Sequence, residues 1–117
     1  MQYLLLIYEN EAEANGRPDS AKAEIFRDYM TFTESIVKSG HFKGGDALQP
    51  VTTATTVRVR NGKTLSTDGP FAETREQLGG YYLVEAKDLD EAIAIGARIP
   101  SAKTGSIEIR PVMKFDK

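Results

Sequence analysis

"YLLLIY", residues 3–8, decides the fold, because all six of its residues are apolar. Alternate side chains of a strand point to opposite faces, so both faces of this segment are apolar. A strand of that kind is covered on both sides. The segment is too short to cross a membrane, and neither a positively charged leader nor a cleavage site accompanies it. We therefore expect a buried strand in a cytoplasmic protein.

The composition, with 40% hydrophobic and 27% charged residues, is typical of a globular protein of one domain, residues 1–117. The absence of cysteine excludes disulfides, thiol nucleophiles and cysteine-bound zinc. The single histidine, His41, cannot form a histidine-rich metal site within one chain. The net charge is −2 and basic residues do not cluster, so we predict no nucleic-acid partner. We also predict no membrane partner, no metal and no cofactor.

A helix is predicted next, because apolar residues recur at helical spacing: Ile25, Phe26, Tyr29, Ile36 and Val37. It is about 19 residues long, with an N-cap at Asp19 or Ser20 and a C-cap at Gly40. The segment that follows, GGDALQP (residues 44–50), is typical of a short extended stretch closed by Pro50.

The stretch TTVRVRNGKTLST, residues 55–67, is the clearest local signal in the chain. Asn61-Gly62 predicts a two-residue type I′ turn between two alternating strands. Counting back from the turn pairs Arg60 with Lys63, Val59 with Thr64, Arg58 with Leu65 and Val57 with Ser66. The two valines share one face of the hairpin and the two arginines the other. The like-charged pair next to the turn predicts an exposed tip.

The second half of the chain predicts a strand, a helix and a last strand. Residues 81–86 form the first strand, and Asp88 with Glu91 forms a capping box for a helix that Pro100 ends. The segment SIEIRPVMKF, residues 106–115, is the closing strand, in which we expect Glu108 and Arg110 to form an ion pair on one face.

The predicted order is β-α-β-β-β-α-β, an α+β fold with a ferredoxin-like split βαβ unit and an added hairpin. Two helices cover only one face of such a sheet, and the other face is too apolar for water. A second copy of the chain is the economical cover, so we predict a homodimer packed through its sheets.

Four segments together resemble the DGPF-type branch of the YCII-related domain family: MQYLLLIYENE (residues 1–11), GGDALQP (44–50), DGPFAETREQLGGYYLVEA (68–86) and GSIEIRPVMKF (105–115). The resemblance implies a ferredoxin-like dimeric α+β barrel and, in some relatives, enzymes of small ring compounds, including a dehydrochlorinase of chlorinated hydroxyquinols. It also implies a His–Asp dyad in the cleft of YCII-type relatives, which is not carried over to His41. A link to sigma factors of the extracytoplasmic-function type is a further implication.

Asp68 is the candidate catalytic residue. An Asp in a turn usually accepts the N–H two residues on, but here that residue is Pro70, which has none. The carboxylate of Asp68 therefore either caps the N–H of Phe71 or faces a cleft as a proton-transfer group. Gly69 is expected to be extended or to have a positive φ. The ring of Phe71 is expected to anchor the loop to the core.

Five further residues are candidate ligand-binding residues: Tyr8, Arg58, Glu73, Gln77 and Tyr82. A tyrosine hydroxyl or an inward arginine could meet a ligand, whereas an outward arginine is an ordinary surface charge. Glu73 and Gln77 share a face only if their segment forms a helical turn.

Two functions are predicted from these observations. One is acid–base catalysis, isomerase- or lyase-like, in a cleft beside the Asp-Gly-Pro-Phe loop. The other is a non-catalytic ligand-sensing dimer or a regulatory partner of a sigma factor.

Overall fold

A computed structural model describes residues 1–115 of the protein. It contains six strands: β1 (Gln2–Glu9), β2 (Phe42–Ala47), β3 (Thr55–Arg60), β4 (Lys63–Asp68), β5 (Gln77–Glu85) and β6 (Ser106–Pro111). The helices are α1 (Glu11–Asn15), α2 (Asp19–Lys38) and α3 (Leu89–Ala97), and short 3-10 turns span Val51–Thr53 and Pro100–Lys103.

Four strands form one antiparallel sheet in the order β2-β5-β1-β6. This arrangement is consistent with a ferredoxin-like α+β fold, and β1 lies between β5 and β6. The expected cover of β1 on both faces is seen on one face within one chain, because Leu4, Leu6 and Tyr8 are only half-buried. The predicted order lacked one strand. An extended stretch was expected at residues 44–50, but residues 42–47 pair with β5 and so form the edge strand β2.

The helix ends follow local chemistry. Helix α2 begins at Asp19, after Pro18 in the capping position, so the predicted N-cap at Asp19 or Ser20 was one or two residues late. The helix ends at Lys38 with Ser39 as its C-cap, one residue before the predicted C-cap Gly40, which follows with a φ of 82°. At α3, the Asp88 side chain accepts the N–H of Glu91 at 2.9 Å, which confirms the cap. The short helix α1 was not predicted.

The hydrophobic core lies between one face of the sheet and the two long helices. It contains Tyr3, Leu5 and Ile7 from β1, Tyr82 and Val84 from β5, Phe32 and Ile36 from α2, and Ala92 and Ile95 from α3. The other face of the sheet, which bears Leu4, Leu6 and Tyr8 and is called the outer face below, is only half-buried. Within residues 1–115, both long helices lie on the core side.

The predicted hairpin is confirmed with its register. Strands β3 and β4 pair from Arg60 with Lys63 back to Thr55 with Asp68, and Asn61 and Gly62 have φ values of 53° and 75°. Within the described residues the two strands pair only with each other and form a separate sheet. We call this segment, residues 55–68, the arm. Its charged tip is exposed, as predicted.

Candidate functional site

A cleft of about 810 Å³ lies between α2 and the sheet edge formed by β2 and β5. We call it the α2 cleft. The helix contributes one wall, with Ile25, Phe26, Tyr29, Met30, Thr33 and Val37. The sheet contributes the floor, with Ile7, Phe42, Gly45, Ala47, Gly80 and Tyr82. The cleft is therefore lined mainly by apolar and aromatic groups.

Small residues on the floor create the space. Gly80 lies between Ile7 of β1 and Ala47 of β2, and Gly45 lies opposite Tyr82. A Cβ atom on Gly45 would lie 2.8 Å from the Tyr81 carbonyl oxygen, and one on Gly80 would lie 3.0 Å from the carbonyl oxygen of the neighbouring strand. Backbone packing thus disfavours side chains here, and the missing side chains leave room for a ligand. Glycine inside a strand is a recognised mark of such a close approach.

A chain of hydrogen bonds lies at one end of the α2 cleft. The Tyr29 hydroxyl lies 2.5 Å from Ser101 Oγ, and Ser101 Oγ donates to Glu9 Oε1 at 2.6 Å. The Glu9 carboxylate also accepts bonds from Arg17 at 2.7 Å and from Thr104 at 3.1 Å. An ionised carboxylate only accepts hydrogen bonds, so the Ser101 hydroxyl is the donor to Glu9. The Ser101 oxygen must therefore accept the hydrogen bond from the Tyr29 hydroxyl. The Tyr29 oxygen is left with lone pairs for a ligand donor.

The protonation states support this direction. Burial raises the pKa of the Glu9 carboxyl, but hydrogen bonds from Ser101, Arg17 and Thr104 outweigh burial and hold the pKa below its usual value. Burial raises the pKa of the Tyr29 hydroxyl, and the charge of Glu9 raises it further. At neutral pH the site therefore combines a charged carboxylate with a neutral phenol.

Tyr82 is the predicted ligand-binding residue that lies in the α2 cleft. Its hydroxyl lies 2.6 Å from Thr33 Oγ1, which joins the sheet floor to the helix wall. Its ring packs edge-on against Phe32 and Phe42, with centroids 5.2 and 6.3 Å apart. These contacts fix the ring, so Tyr82 shapes the wall of the cleft.

The other candidates lie elsewhere. Arg58, Asp68 and Glu73 are exposed on the arm or in the loop after it, and they do not belong to the lining of the α2 cleft. Among the described residues, the Asp68 carboxylate forms no hydrogen bond, so the predicted cap on the Phe71 N–H is absent. The catalytic role of Asp68 stays a prediction. Tyr8 lies at the end of β1 on the outer face.

The loop after the arm differs from its predicted form. Gly69 has a φ of 99°, which agrees with the positive φ expected. Its N–H donates to the Ala54 carbonyl and its own carbonyl accepts from Thr56 Oγ1, both at 2.8 Å. Phe71 is 79% exposed, so the expected anchoring of its ring to the core is wrong within one chain. The loop turns back at Gly69 and leaves this ring beyond the reach of the core.

Gln77 has a structural role. It begins β5 rather than a helical turn, so it does not share a helical face with Glu73. Its Oε1 accepts the N–H of Glu11 at 2.9 Å, and its Nε2 donates to the Thr74 carbonyl at 2.5 Å. The side chain therefore joins α1 to the loop.

Two pairs of polar side chains lie outside the cleft. Arg110 Nε lies 3.6 Å from Glu108 Oε2, as predicted for this face of β6. His41 Nε2 lies 3.2 Å from Glu91 Oε1 at the start of α3, outside the lining of the cleft. Within residues 1–115, no three potential metal ligands lie together, and no helix there is long and apolar enough to span a membrane.

An antiparallel sheet with two long helices on one face places the chain in the class of small α+β domains. The chain belongs to the YCII-related domain family, whose model matches residues 1–116. It is 36% identical over 117 residues to an uncharacterized protein of Rhizobium meliloti (strain 1021), covering 98% of this chain and 94% of that protein.

A solved structure shares the fold. It is 5-chloro-2-hydroxyhydroquinone dehydrochlorinase (TftG) from Burkholderia phenoliruptrix AC1100, in complex with 2,5-dihydroxybenzoquinone. The TM-score is 0.53 with 14% sequence identity, and the match covers 97% of this chain and 94% of that chain. At this identity the similarity concerns the fold.

Proposed function

We propose that the protein binds a small ring compound carrying a hydroxyl or another hydrogen-bond donor in the α2 cleft. The observation that carries this proposal is the Tyr29–Ser101–Glu9 chain, whose direction leaves the Tyr29 oxygen as an acceptor in an otherwise apolar cleft. A ligand donor would complete the hydrogen bonding of that oxygen. Tyr29 is half-buried, so a ligand with a donor at this position gains a hydrogen bond that an apolar ligand does not make.

The size and lining of the cleft agree with such a ligand. Small-molecule sites typically have volumes of about 300–1,000 Å³, apolar walls and a few fixed polar groups. The α2 cleft, at about 810 Å³, lies in that range. Aromatic rings from Phe26, Phe42 and Tyr82 line it and offer faces and edges to a planar ring.

Acid–base chemistry of the isomerase or lyase type, expected from the sequence in a cleft beside the Asp-Gly-Pro-Phe loop, stays a prediction. The structural neighbour is a dehydrochlorinase bound to 2,5-dihydroxybenzoquinone, a small ring compound. In this protein the low pKa of Glu9 makes that carboxylate a weak proton acceptor. The Tyr29–Ser101–Glu9 chain therefore orients a substrate hydroxyl rather than removing its proton.

The test is titration with hydroquinone, a ring whose hydroxyl groups remain protonated at neutral pH, followed by calorimetry. Tyr29→Phe removes the acceptor, and we expect it to weaken binding about tenfold, the value of one hydrogen bond of roughly 1.4 kcal/mol. Tyr3→Phe is the matched control, because Tyr3 is buried on the same sheet face but outside the lining of the cleft. Equal binding by the wild type and Tyr29→Phe would contradict the proposed role, as would no binding by the wild type.

We also propose that the chain forms a homodimer through the outer face of its sheet. Leu4 lies beside Leu83 and Leu6 beside Tyr81 on that face, which gives a continuous apolar centre. An isologous contact between two such faces would bury it. A link to a sigma factor stays a prediction.

A further inference from the structure

We propose that the arm, residues 55–68, packs against a second copy of the chain through the face that bears Val57 and Val59. This inference rests on the proposed homodimer and adds to it a second contact region, outside the sheet. It assigns a role to the one pair of strands that stands apart from the body of the protein.

The shape of the chain supplies the first argument. Its radius of gyration is 16.3 Å, whereas a compact domain of this length has about 13.4 Å. Its accessible surface is 8434 Å² for a mass of 12.9 kDa, whereas a compact monomer of that mass exposes about 6,300 Å². The surplus of about 2,100 Å² exceeds the roughly 800 Å² that each partner buries in a standard interface. The chain thus exposes enough surface for an extensive contact with another copy.

The pattern of the arm supplies the second argument. Val57 and Val59 are 62% and 59% exposed and share a face with Thr64 and Ser66. The opposite face carries Arg58, Arg60 and Lys63. Alternation of this kind is typical of an antiparallel strand with one covered face. Within residues 1–115, none of the buried core residues lies in the arm, so its cover must come from outside the chain.

Hydrogen bonds fix the base of the arm to the rest of the chain. The Glu11 carboxylate accepts the N–H of Val51 at 3.1 Å, and the N–H of Leu48 donates to the Gly79 carbonyl at 2.9 Å. These bonds tie the segment before the arm to α1 and β5. Strands of six residues extend about 20 Å beyond that point. The arm therefore reaches outward from a fixed base.

The proposed dimer makes a second copy the occupant. The segment before the arm is bonded to β5, and β5 belongs to the sheet whose outer face forms the proposed dimer contact. The face of the arm that bears Arg58, Arg60 and Lys63 lies opposite the valines, so these charges would remain in solvent.

The proposal changes the place of the Asp-Gly-Pro-Phe segment. Asp68 pairs with Thr55 and lies on the same face of the arm as Val57 and Val59. Its carboxylate would therefore face the partner copy rather than the cleft of its own chain. Phe71 follows the base of the arm closely enough to add its exposed ring to the same contact.

Sedimentation equilibrium of single variants tests the arm. Val59→Arg places a charge on the valine face, and Leu65→Arg, on the opposite face at 48% exposure, is the matched control. We expect the dimer dissociation constant to rise by about tenfold or more for Val59→Arg and by less than about threefold for Leu65→Arg. Unchanged dimerisation of Val59→Arg would overturn the arm contact and leave the sheet-packed dimer standing. A monomeric wild type would overturn both.

Photo-crosslinking shows which chain the arm contacts. Benzoylphenylalanine is introduced at position 57, and the protein is prepared once with ¹⁴N and once with ¹⁵N. The two samples are mixed, allowed to exchange subunits and irradiated. We expect crosslinked peptides that combine the two isotopes. Crosslinks confined to peptides of a single isotope would overturn the proposal.

Discussion

The α2 cleft and the arm both expose apolar side chains, but they differ in how their polar groups are held. In the cleft, Tyr29, Ser101 and Glu9 bind one another, and Arg17 closes the chain. On the arm, Asp68 and the exposed arginines lie in solvent, and the valines contact no core. The polar groups of the cleft have partners within the chain, and the cleft has room for a small molecule. We propose that the arm is completed by the surface of a second copy.

The largest expected effect separates the body from the arm. Ile36 is fully buried on the core side of α2, so Ile36→Ala should lower the unfolding free energy by about 2–5 kcal/mol. Val59→Ala should lose stability only at concentrations where the chain is dimeric, because its contacts lie in the partner. Urea denaturation at two protein concentrations measures both. An equal loss for Val59→Ala in dilute solution would break the comparison.

The next effect concerns the hydrogen-bond chain of the cleft. Ser101→Ala leaves Tyr29 without its acceptor and Glu9 without one donor, so we expect a loss of about 1–3 kcal/mol. Ser106→Ala is the control, because the exposed Ser106 hydroxyl also donates to a carboxylate, that of Glu76, at 2.8 Å. Its loss should remain within about 0.5 kcal/mol. Similar losses in urea denaturation would show that the Ser101 contacts are no stronger than surface ones.

The pH dependence should come partly from Glu9. Its pKa in the folded state lies below the ordinary value of 4.5, so its contribution is fully present above that value and is lost as the pH falls through the folded pKa. Glu9→Gln should therefore flatten the decline of thermal stability in acid. Glu24→Gln, on the exposed face of α2, is the control. Identical acid profiles for wild type and Glu9→Gln would contradict the low pKa.

The smallest expected effect is at Asp68. A capping carboxylate would cost about 0.5–2 kcal/mol when removed. Because Asp68 is exposed and caps nothing among the described residues, Asp68→Ala should change the unfolding free energy by less than about 0.5 kcal/mol in dilute solution. A larger loss of unfolding free energy in thermal denaturation would show that Asp68 acts as a cap. If a substrate is found, full activity of Asp68→Asn would end its catalytic candidacy.

The elements that could be predicted from sequence have local causes. Asn61-Gly62 determines both the turn and the register of the hairpin, because two consecutive residues with positive φ select one turn type. Gly40 and Asp88 end and begin helices for similarly local reasons. Strand β2 was missed because FKGGDA has two glycines and no alternating pattern, and its pairing comes from β5.

The cleft could be predicted only in part. Glu9 and Ser101 are 92 residues apart, and no local pattern joins them. The glycines of β2 and β5 were the available signal, because Gly45 and Gly80 are strand-interior positions where a side chain would collide with backbone. At Asp68, turn chemistry left two alternatives, a cap or a cleft residue. The single chain shows neither, because the arm carries this residue into solvent.

The proposed ligand site is tested most directly by NMR of protein labelled with ¹⁵N-glycine. Ten glycines give few signals, and they report on both regions: Gly45, Gly79 and Gly80 line the α2 cleft, whereas Gly62 lies at the tip of the arm. With hydroquinone added, we predict that the three cleft signals shift, that the Gly62 signal does not, and that Tyr29→Phe weakens the response. Shifts confined to Gly62, or none at all, would contradict a ligand site in the α2 cleft.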